Sequence, residues 1–258
     1  MTETITATKP IIRLVGVTKS FGPVSVLKGV DLEVHPGRVT ALVGDNGAGK
    51  STLIKVLSGA VPITSGTIHL RGKPVEIRST TDAIACGIET IYQDSSLVPQ
   101  LSIARNLFLG REPTKGPFGT LDLAAMNAAA NGLLRRVGIE KDIPPDTPIT
   151  SLSGGERQAV AIARAMHFAN DLIILDEPTN NLGVAETQGV LNFVRSARAS
   201  GHSCIFIAHN IHHVFQVVDR IVVMRRGRKV ADGIDPKQTT VEAVEQIITG
   251  MTAEGRPA

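Results

Sequence analysis

Nine consecutive residues constrain this chain more than anything else in it. Gly44-Asp45-Asn46-Gly47-Ala48-Gly49-Lys50-Ser51-Thr52 is a complete G-x-x-x-x-G-K-[ST] string. Residues 38–43 before it are short and β-rich, and residues 51–57 after it are apolar with a helical period. The segment therefore reads as strand, glycine loop, helix, the context in which this string grips phosphates. Gly44, Gly47 and Gly49 open backbone conformations closed to other residues. Successive N–H groups can then surround phosphate oxygens at a helix N-terminus, where the dipole favours anions. Lys50 is placed to reach the β- and γ-phosphates, and the Ser51 hydroxyl to bind Mg2+.

Two further strings come after it in fixed order: Leu152-Ser153-Gly154-Gly155-Glu156, then Leu172-Ile173-Ile174-Leu175-Asp176-Glu177-Pro178. Four aliphatic residues before Asp176 suit a strand buried on both faces of a parallel sheet. Ligands collect at the carboxyl ends of such strands, so Asp176 and Glu177 should emerge beside the phosphate loop. Asp176 would hold Mg2+, and Glu177 would orient or deprotonate the attacking water. Pro178 marks the strand's end, because proline cannot donate to a central ladder.

With these three motifs the chain resembles the nucleotide-binding subunit of an ABC transporter, and the likeness spans about residues 10–250. Leu152 to Glu156 matches the family's signature, with Glu where many members have Gln. The resemblance implies a head-to-tail dimer of two cassettes with two ATP molecules sandwiched between them. In it, Ser153, Gly154, Gly155 and Glu156 would close over the γ-phosphate of ATP held by the partner cassette. The positive end of the helix begun at Glu156 would point the same way. The family pattern places Phe21 where an aromatic ring stacks on adenine. It makes Gln93 the glutamine that touches Mg2+ and water, and His209 the histidine that contacts the γ-phosphate. His213, four residues later, could mimic a metal pair on one helix face, but no third ligand has suitable spacing and zinc is not expected. One departure stands out: Thr179-Asn180-Asn181-Leu182 is followed by Gly183, where the family usually has an aspartate that signals across the dimer.

Composition bounds the rest. At 258 residues and 42% hydrophobic, the chain can bury a real core in one domain, or one domain with a subordinate lobe. The aliphatic runs fall far below the ~18 apolar residues of a membrane span. Residues 1–10 lack a basic region followed by an apolar stretch, so no signal peptide is expected. Cys86 and Cys204 have neither metal nor redox spacing and suit reduced thiols in a cytoplasmic protein. A net charge of +3 with no long basic run gives no reason to expect nucleic acid as a partner.

Alternating strands and helices predict an α/β fold with a mainly parallel central sheet, which the resemblance makes a P-loop NTPase cassette. Shorter β segments over 11–36, 67–70 and 74–77 suggest an antiparallel β lobe. Between 93 and 153 the strand signal fades: 121–137 should be helical, and 111–119 reads as a loop by its prolines and glycines. The expected organisation is one ABC ATPase domain over 1–258. Residues 11–92 and 154–250 form its core and β lobe, and 93–153 a mainly helical lobe inserted between Gln93 and the signature. Residues 220–224 should be a strand entering a hairpin whose basic cluster, 225–229, is a solvated turn, and 240–249 a final helix.

Having no membrane part, the cassette must borrow one. Chromosome and DNA-repair ATPases of this family need long coiled coils between the first two motifs, and translation-factor members need two cassettes; neither is present. A transporter subunit remains, peripheral on the cytoplasmic face of the bacterial inner membrane. Its partners would be a second cassette, integral permease subunits and, indirectly, a periplasmic solute-binding protein. Residues 44–50, 87–94, 101–112 and 213–220 are similar to those of monosaccharide importers, in their single-cassette branch of which fructose-type members are the familiar ones. A transporter of an amino acid or other solute is the first alternative, and a soluble ABC ATPase without a transport role the second.

Overall fold

The computed structural model describes residues 9–92, 97–139, 141–168, 171–180, 182–208 and 210–250. Two long strands open it, β1 (Ile12–Phe21) and β2 (Val24–Val34). β3 (Val39–Val43) then runs into α1 (Lys50–Leu57). β4 (Ser65–Leu70), β5 (Lys73–Val75), α2 (Thr80–Ala85) and β6 (Ile88–Ile91) come next. A mainly helical stretch holds α3 (Ile103–Leu107), the two-residue strands β7 (Thr114–Lys115) and β8 (Thr120–Leu121), α4 (Leu123–Arg136) and α5 (Gly154–Phe168). Strand and helix alternate again through β9 (Leu172–Asp176), α6 (Val184–Ala199), β10 (Ser203–Ile207) and α7 (Ile211–Val217). The chain ends on the hairpin β11 (Arg220–Arg225) and β12 (Arg228–Ile234), then α8 (Val241–Thr249).

Burial explains the sheet order. Every residue of β3 and β10 is buried, as are Leu172 to Leu175 of β9. Strands apolar on both faces must lie inside a sheet covered on both sides. They do: the six-stranded sheet runs β12-β11-β3-β10-β9-β6, parallel throughout except for the edge strand β12. Full burial of each such side chain is worth about 1.5–3 kcal/mol, so these three strands dominate the core. A second sheet, β2-β1-β4-β5, is antiparallel. This is the α/β architecture with a mainly parallel sheet and an antiparallel lobe that the sequence predicts.

A separate apolar cluster joins α3, α4 and one face of α5, with Leu107, Met126, Leu134 and Val160 in it. Asn106, fully buried, ties this layer to the segment before it. Its Oδ1 accepts from Val98 N at 2.7 Å, and its Nδ2 donates to the carbonyls of Val98, Leu101 and Ser102 at 3.0–3.2 Å. The other face of α5 sends Ile162 and Ala165 into the core of the parallel sheet. Two local expectations shift. Residues 111–119 are not wholly loop, since β7 and β8 pair within 114–121. α4 starts at Leu123 rather than 121, because the Asp122 carboxylate accepts from Ala125 N at 3.1 Å and caps it.

Candidate nucleotide site

Parallel register brings the ends of three strands to one edge. Asp176 of β9 lies opposite Ile207 of β10, and Phe206 lies opposite both Leu175 and Ala41 of β3. Val43, Asp176 and Ile207 therefore finish side by side, and the residues just beyond them build the site.

After β3 the chain enters the glycine loop. Gly44, Gly47 and Gly49 take φ of +150°, +77° and +103°, values that side chains resist. Gly49 is the N-cap of α1, and no side chain caps that helix, nor is there an acidic residue in its first turn. Its free N–H groups therefore need acceptors from outside the helix. Lys50 is 7% exposed, and its Nζ donates to the carbonyls of Gly44 at 2.7 Å and Asp45 at 3.0 Å. Burial pushes the Lys50 ammonium below its ordinary pKa, and the carboxylates of Glu177, Asp45 and Asp176 oppose that shift. The structure thus brings Lys50, Asp176 and Glu177 together. Asp45, Asn46, Gly47 and Ser51 are exposed, Thr52 is half-buried and Ala48 is buried.

Glu177 sits just beyond β9 with φ +52°, a backbone state rare outside glycine. Its N–H donates to Ile207 O at 3.0 Å, and its carbonyl accepts from Asn180 N at 3.1 Å. Asn180 Nδ2 donates to Glu177 Oε2 at 3.4 Å. Phe21, at the end of β1, is 47% exposed, with the Lys19 ammonium 4.9 Å from its ring centre. The β1–β2 turn that carries it reaches the loop through β2, since Leu27 and Val26 border Gly49. Gln93 and His209 lie outside the described residues.

The signature lies elsewhere. Ser153 and Gly154 are exposed, while Leu152 is buried in the helical cluster that carries them. Ser153 and Glu156 form a reciprocal cap: Glu156 N donates to Ser153 Oγ at 3.2 Å, and Ser153 N to Glu156 Oε2 at 2.9 Å. Those bonds, the Ser153 N–H first, hold the Glu156 carboxyl below its ordinary range. Lys141 Nζ stands 3.5 Å from it. A Cβ on Gly155 would come within 2.7 Å of Glu186 Cγ, so the space its missing side chain leaves is filled from α6 of the same chain. The cavity beside Ser153, about 310 Å³, is lined also by Ala185 and Glu186. The cavity beside Gly44 to Asn46, about 360 Å³, is closed instead by Ile211 and α8. They share no residue.

A match to the ABC transporter family covers residues 27–180. The chain belongs to that family. It is 42% identical to a fructose import ATP-binding protein of Rhizobium meliloti over 257 residues, 98% of each chain. It is 44% identical to a ribose import ATP-binding protein of Rubrobacter xylanophilus, over 86% of this chain but 44% of that one. The chain thus spans nearly all of the fructose relative and under half of the ribose one. Among solved structures it superimposes on an ATP-binding cassette of an ABC transporter, in its ADP conformation, with a TM-score of 0.79 at 25% identity. That overlap covers 94% of this chain and 96% of the other.

Several groups of this ABC cassette's site escape a reading by motif. Asn180 is a ligand of Glu177, and His213 Nδ1 lies 3.3 Å from Thr179 Oγ1. Gly227, in the turn between β11 and β12, donates to Ala48 O at 2.9 Å, and its own carbonyl accepts from Lys28 N at 2.9 Å. A Cβ on Gly44 would collide with Met224 O. The turn expected to be solvated is so in part only: Arg226 and Arg228 are exposed, but Gly227 is buried against the phosphate loop. Arg226 and Gly227 form a two-residue turn, both at positive φ (+49° and +81°), and nothing local in the sequence places it against Ala48.

Proposed function

We propose that this chain is the ATP-hydrolysing subunit of a bacterial importer for a monosaccharide, working through separate permease subunits. The observation that carries the reading is the open N-terminus of α1, fronted by three positive-φ glycines and by buried Lys50. Its unsatisfied N–H groups and one desolvated ammonium suit the polyphosphate of ATP. Lys50 takes the β- and γ-phosphates, residues 44–49 and Ser51 and Thr52 offer backbone N–H groups, and Phe21 stacks on adenine.

Mg2+ fits the donors present. The Ser51 hydroxyl and Asp176 carboxylate are hard oxygens, with Gln93 as the third member of the set, and the described residues hold no cluster of three His, Cys, Asp or Glu. A cation bound by few protein oxygens plus phosphates and water is the usual habit of Mg2+. When bound, it neutralises charge on the β- and γ-phosphate oxygens. Glu177, aimed by its turn and by Asn180, orients the attacking water and accepts its proton, and His209 contacts the γ-phosphate.

Ser153, Gly154, Gly155 and Glu156 serve ATP held by a second copy of the chain, closing head to tail on the first. Among the described residues no helix is long and apolar enough to cross a membrane. Membrane passage belongs to the permease, with the cassette on the cytoplasmic face of the inner membrane and a periplasmic protein delivering solute. We take 1–258 as one domain with 93–153 as its helical insertion, and nucleic acid has no part in its action. The 42% identity to a fructose import protein across its whole length supports the sugar assignment.

Deleting the gene should abolish uptake of one labelled monosaccharide. Wild-type chain should restore it and Lys50→Ala should not. Unchanged uptake of every monosaccharide, with loss of amino-acid uptake, would overturn the sugar assignment.

A further inference from the structure

Glu177 is held in a backbone state that its own side chain disfavours, at a cost of order 1–3 kcal/mol for such positions. A turn of this kind keeps its shape only if its neighbours hold it. Inside the turn, Asn180 binds both the carbonyl and the carboxylate of Glu177. From outside, the Glu177 N–H donates to Ile207 O of β10 at 3.0 Å, and Thr179 Oγ1 lies 3.3 Å from Nδ1 of His213 on α7.

The other ring nitrogen settles which way that bond runs. His213 Nε2 lies 3.4 Å from Asn210 Nδ2. An amide nitrogen can only donate, so Nε2 accepts, the neutral ring carries its proton on Nδ1, and His213 donates to Thr179. Turning the Asn210 amide over would not free the ring, because Asn210 Oδ1 already accepts from His212 N at 3.0 Å as the cap of α7. The imidazole is fixed from both sides. Glu177, Thr179, Asn180, Asn210 and His213 line one cavity of about 220 Å³, with Ala208 completing the wall.

We propose that His213 is a positioning residue for hydrolysis, fixing the Glu177 turn to α7 through Thr179 and so setting the direction of the Glu177 carboxylate. This rests on the reading of Glu177 as the group that handles water. It gives a use to the histidine whose i, i+4 spacing from His209 mimics a metal pair. β10 already holds the Glu177 N–H through Ile207 O, and the His213 bond ties the same turn to a second element, α7.

The experiment compares ATP turnover, KM for ATP and thermal midpoint for the full chain and its variants. His213→Leu and Thr179→Val should each lower kcat about tenfold, the loss expected from one positioning hydrogen bond. KM and thermal midpoint should stay at wild-type values. The double variant should be no slower than either single one, because both remove the same bond. His213→Asn, which can place an amide donor near the Nδ1 position, and Thr179→Ser, which keeps the hydroxyl, should recover most of the rate. Wild-type kcat in His213→Leu, multiplied losses in the double variant, or a parallel fall in thermal midpoint would each overturn the proposal. Glu177→Gln separates it from the reading beneath it. If that variant hydrolyses ATP like wild type, the role of Glu177 fails. If it is inactive while His213→Leu is fully active, only the positioning role fails.

Discussion

The two helix N-termini that matter to this cassette are built in opposite ways. α1 begins at a glycine, with no side-chain cap and no acid in its first turn. α5 begins with a reciprocal cap between Ser153 and Glu156, and its first turn carries the Glu156 carboxylate. The first leaves its N–H groups for an anion; the second satisfies itself and stands ready-made at an exposed edge. Lys50 is buried on its own loop, whereas Ser153 is open. One terminus is unfinished, with no side-chain cap supplied by this chain. The other is finished by its own cap, and the Ser153 hydroxyl that makes the cap is exposed.

The largest effect should come from breaking the unfinished terminus. Lys50→Ala removes the buried ammonium of the loop and should cost both nucleotide affinity and turnover, the latter by a factor on the order of 10²–10³, as when a preorganised electrostatic group is lost. Equilibrium binding of a fluorescent ATP analogue and a phosphate-release assay measure the two. Near-normal turnover would remove Lys50 from the site.

Breaking the finished terminus should separate those two quantities. Ser153→Arg should leave ATP binding by one chain intact and block hydrolysis, because a bulky cation fills the gap a partner must enter. Mixed with Lys50→Ala chains, each hybrid dimer would carry both lesions at one ATP site and none at the other. Activity above the sum of the two variants supports the shared site, and full hydrolysis by Ser153→Arg alone excludes it.

A smaller effect is expected at Gly44, where φ is +150° and an added Cβ would strike Met224 O. Gly44→Ala should weaken ATP binding about tenfold, as expected for ~1.4 kcal/mol, and lower the thermal midpoint. Unchanged binding would show that the loop tolerates the shift.

The smallest effect concerns acid. The Glu156 carboxyl is held below its ordinary value of 4.5 by bonds it makes only when folded. Its contribution is therefore present above that pH and lost as pH falls through the depressed folded value. The protection of the Ser153 amide against hydrogen exchange, taken relative to the unstructured rate at each pH, should fall in that acid range in wild type and stay flat in Glu156→Gln, which keeps an acceptor and cannot titrate. A flat wild-type profile would argue against the cap.

How far the sequence could be read tracks the same contrast. The strand, glycine loop and helix around residues 44–52 were legible because the string is contiguous, and Leu172 to Asp176 because four aliphatic residues in a row fit an internal strand. The mainly parallel sheet, the antiparallel lobe and the helical layer came from period and composition. Contacts between distant segments were not legible: Thr179 with His213, Glu186 beneath Gly155, and Gly227 against Ala48 leave no local pattern. The missing aspartate at Gly183 was visible, but the nearby Glu186 that crowds the position was not. A Cβ on Gly183 would come within 2.5 Å of Glu186 Oε2.

The turn at Gly227 also has a consequence for synthesis. The phosphate loop is finished by residues made long after it, Met224 and Gly227 of the last hairpin. At ribosomal speeds the gap between Thr52 and Gly227 takes roughly 10–35 s. Throughout that interval the emerging chain has its glycine motif but lacks the backbone that supports it. The loop made early by the ribosome is thus completed only by the last hairpin of the sheet.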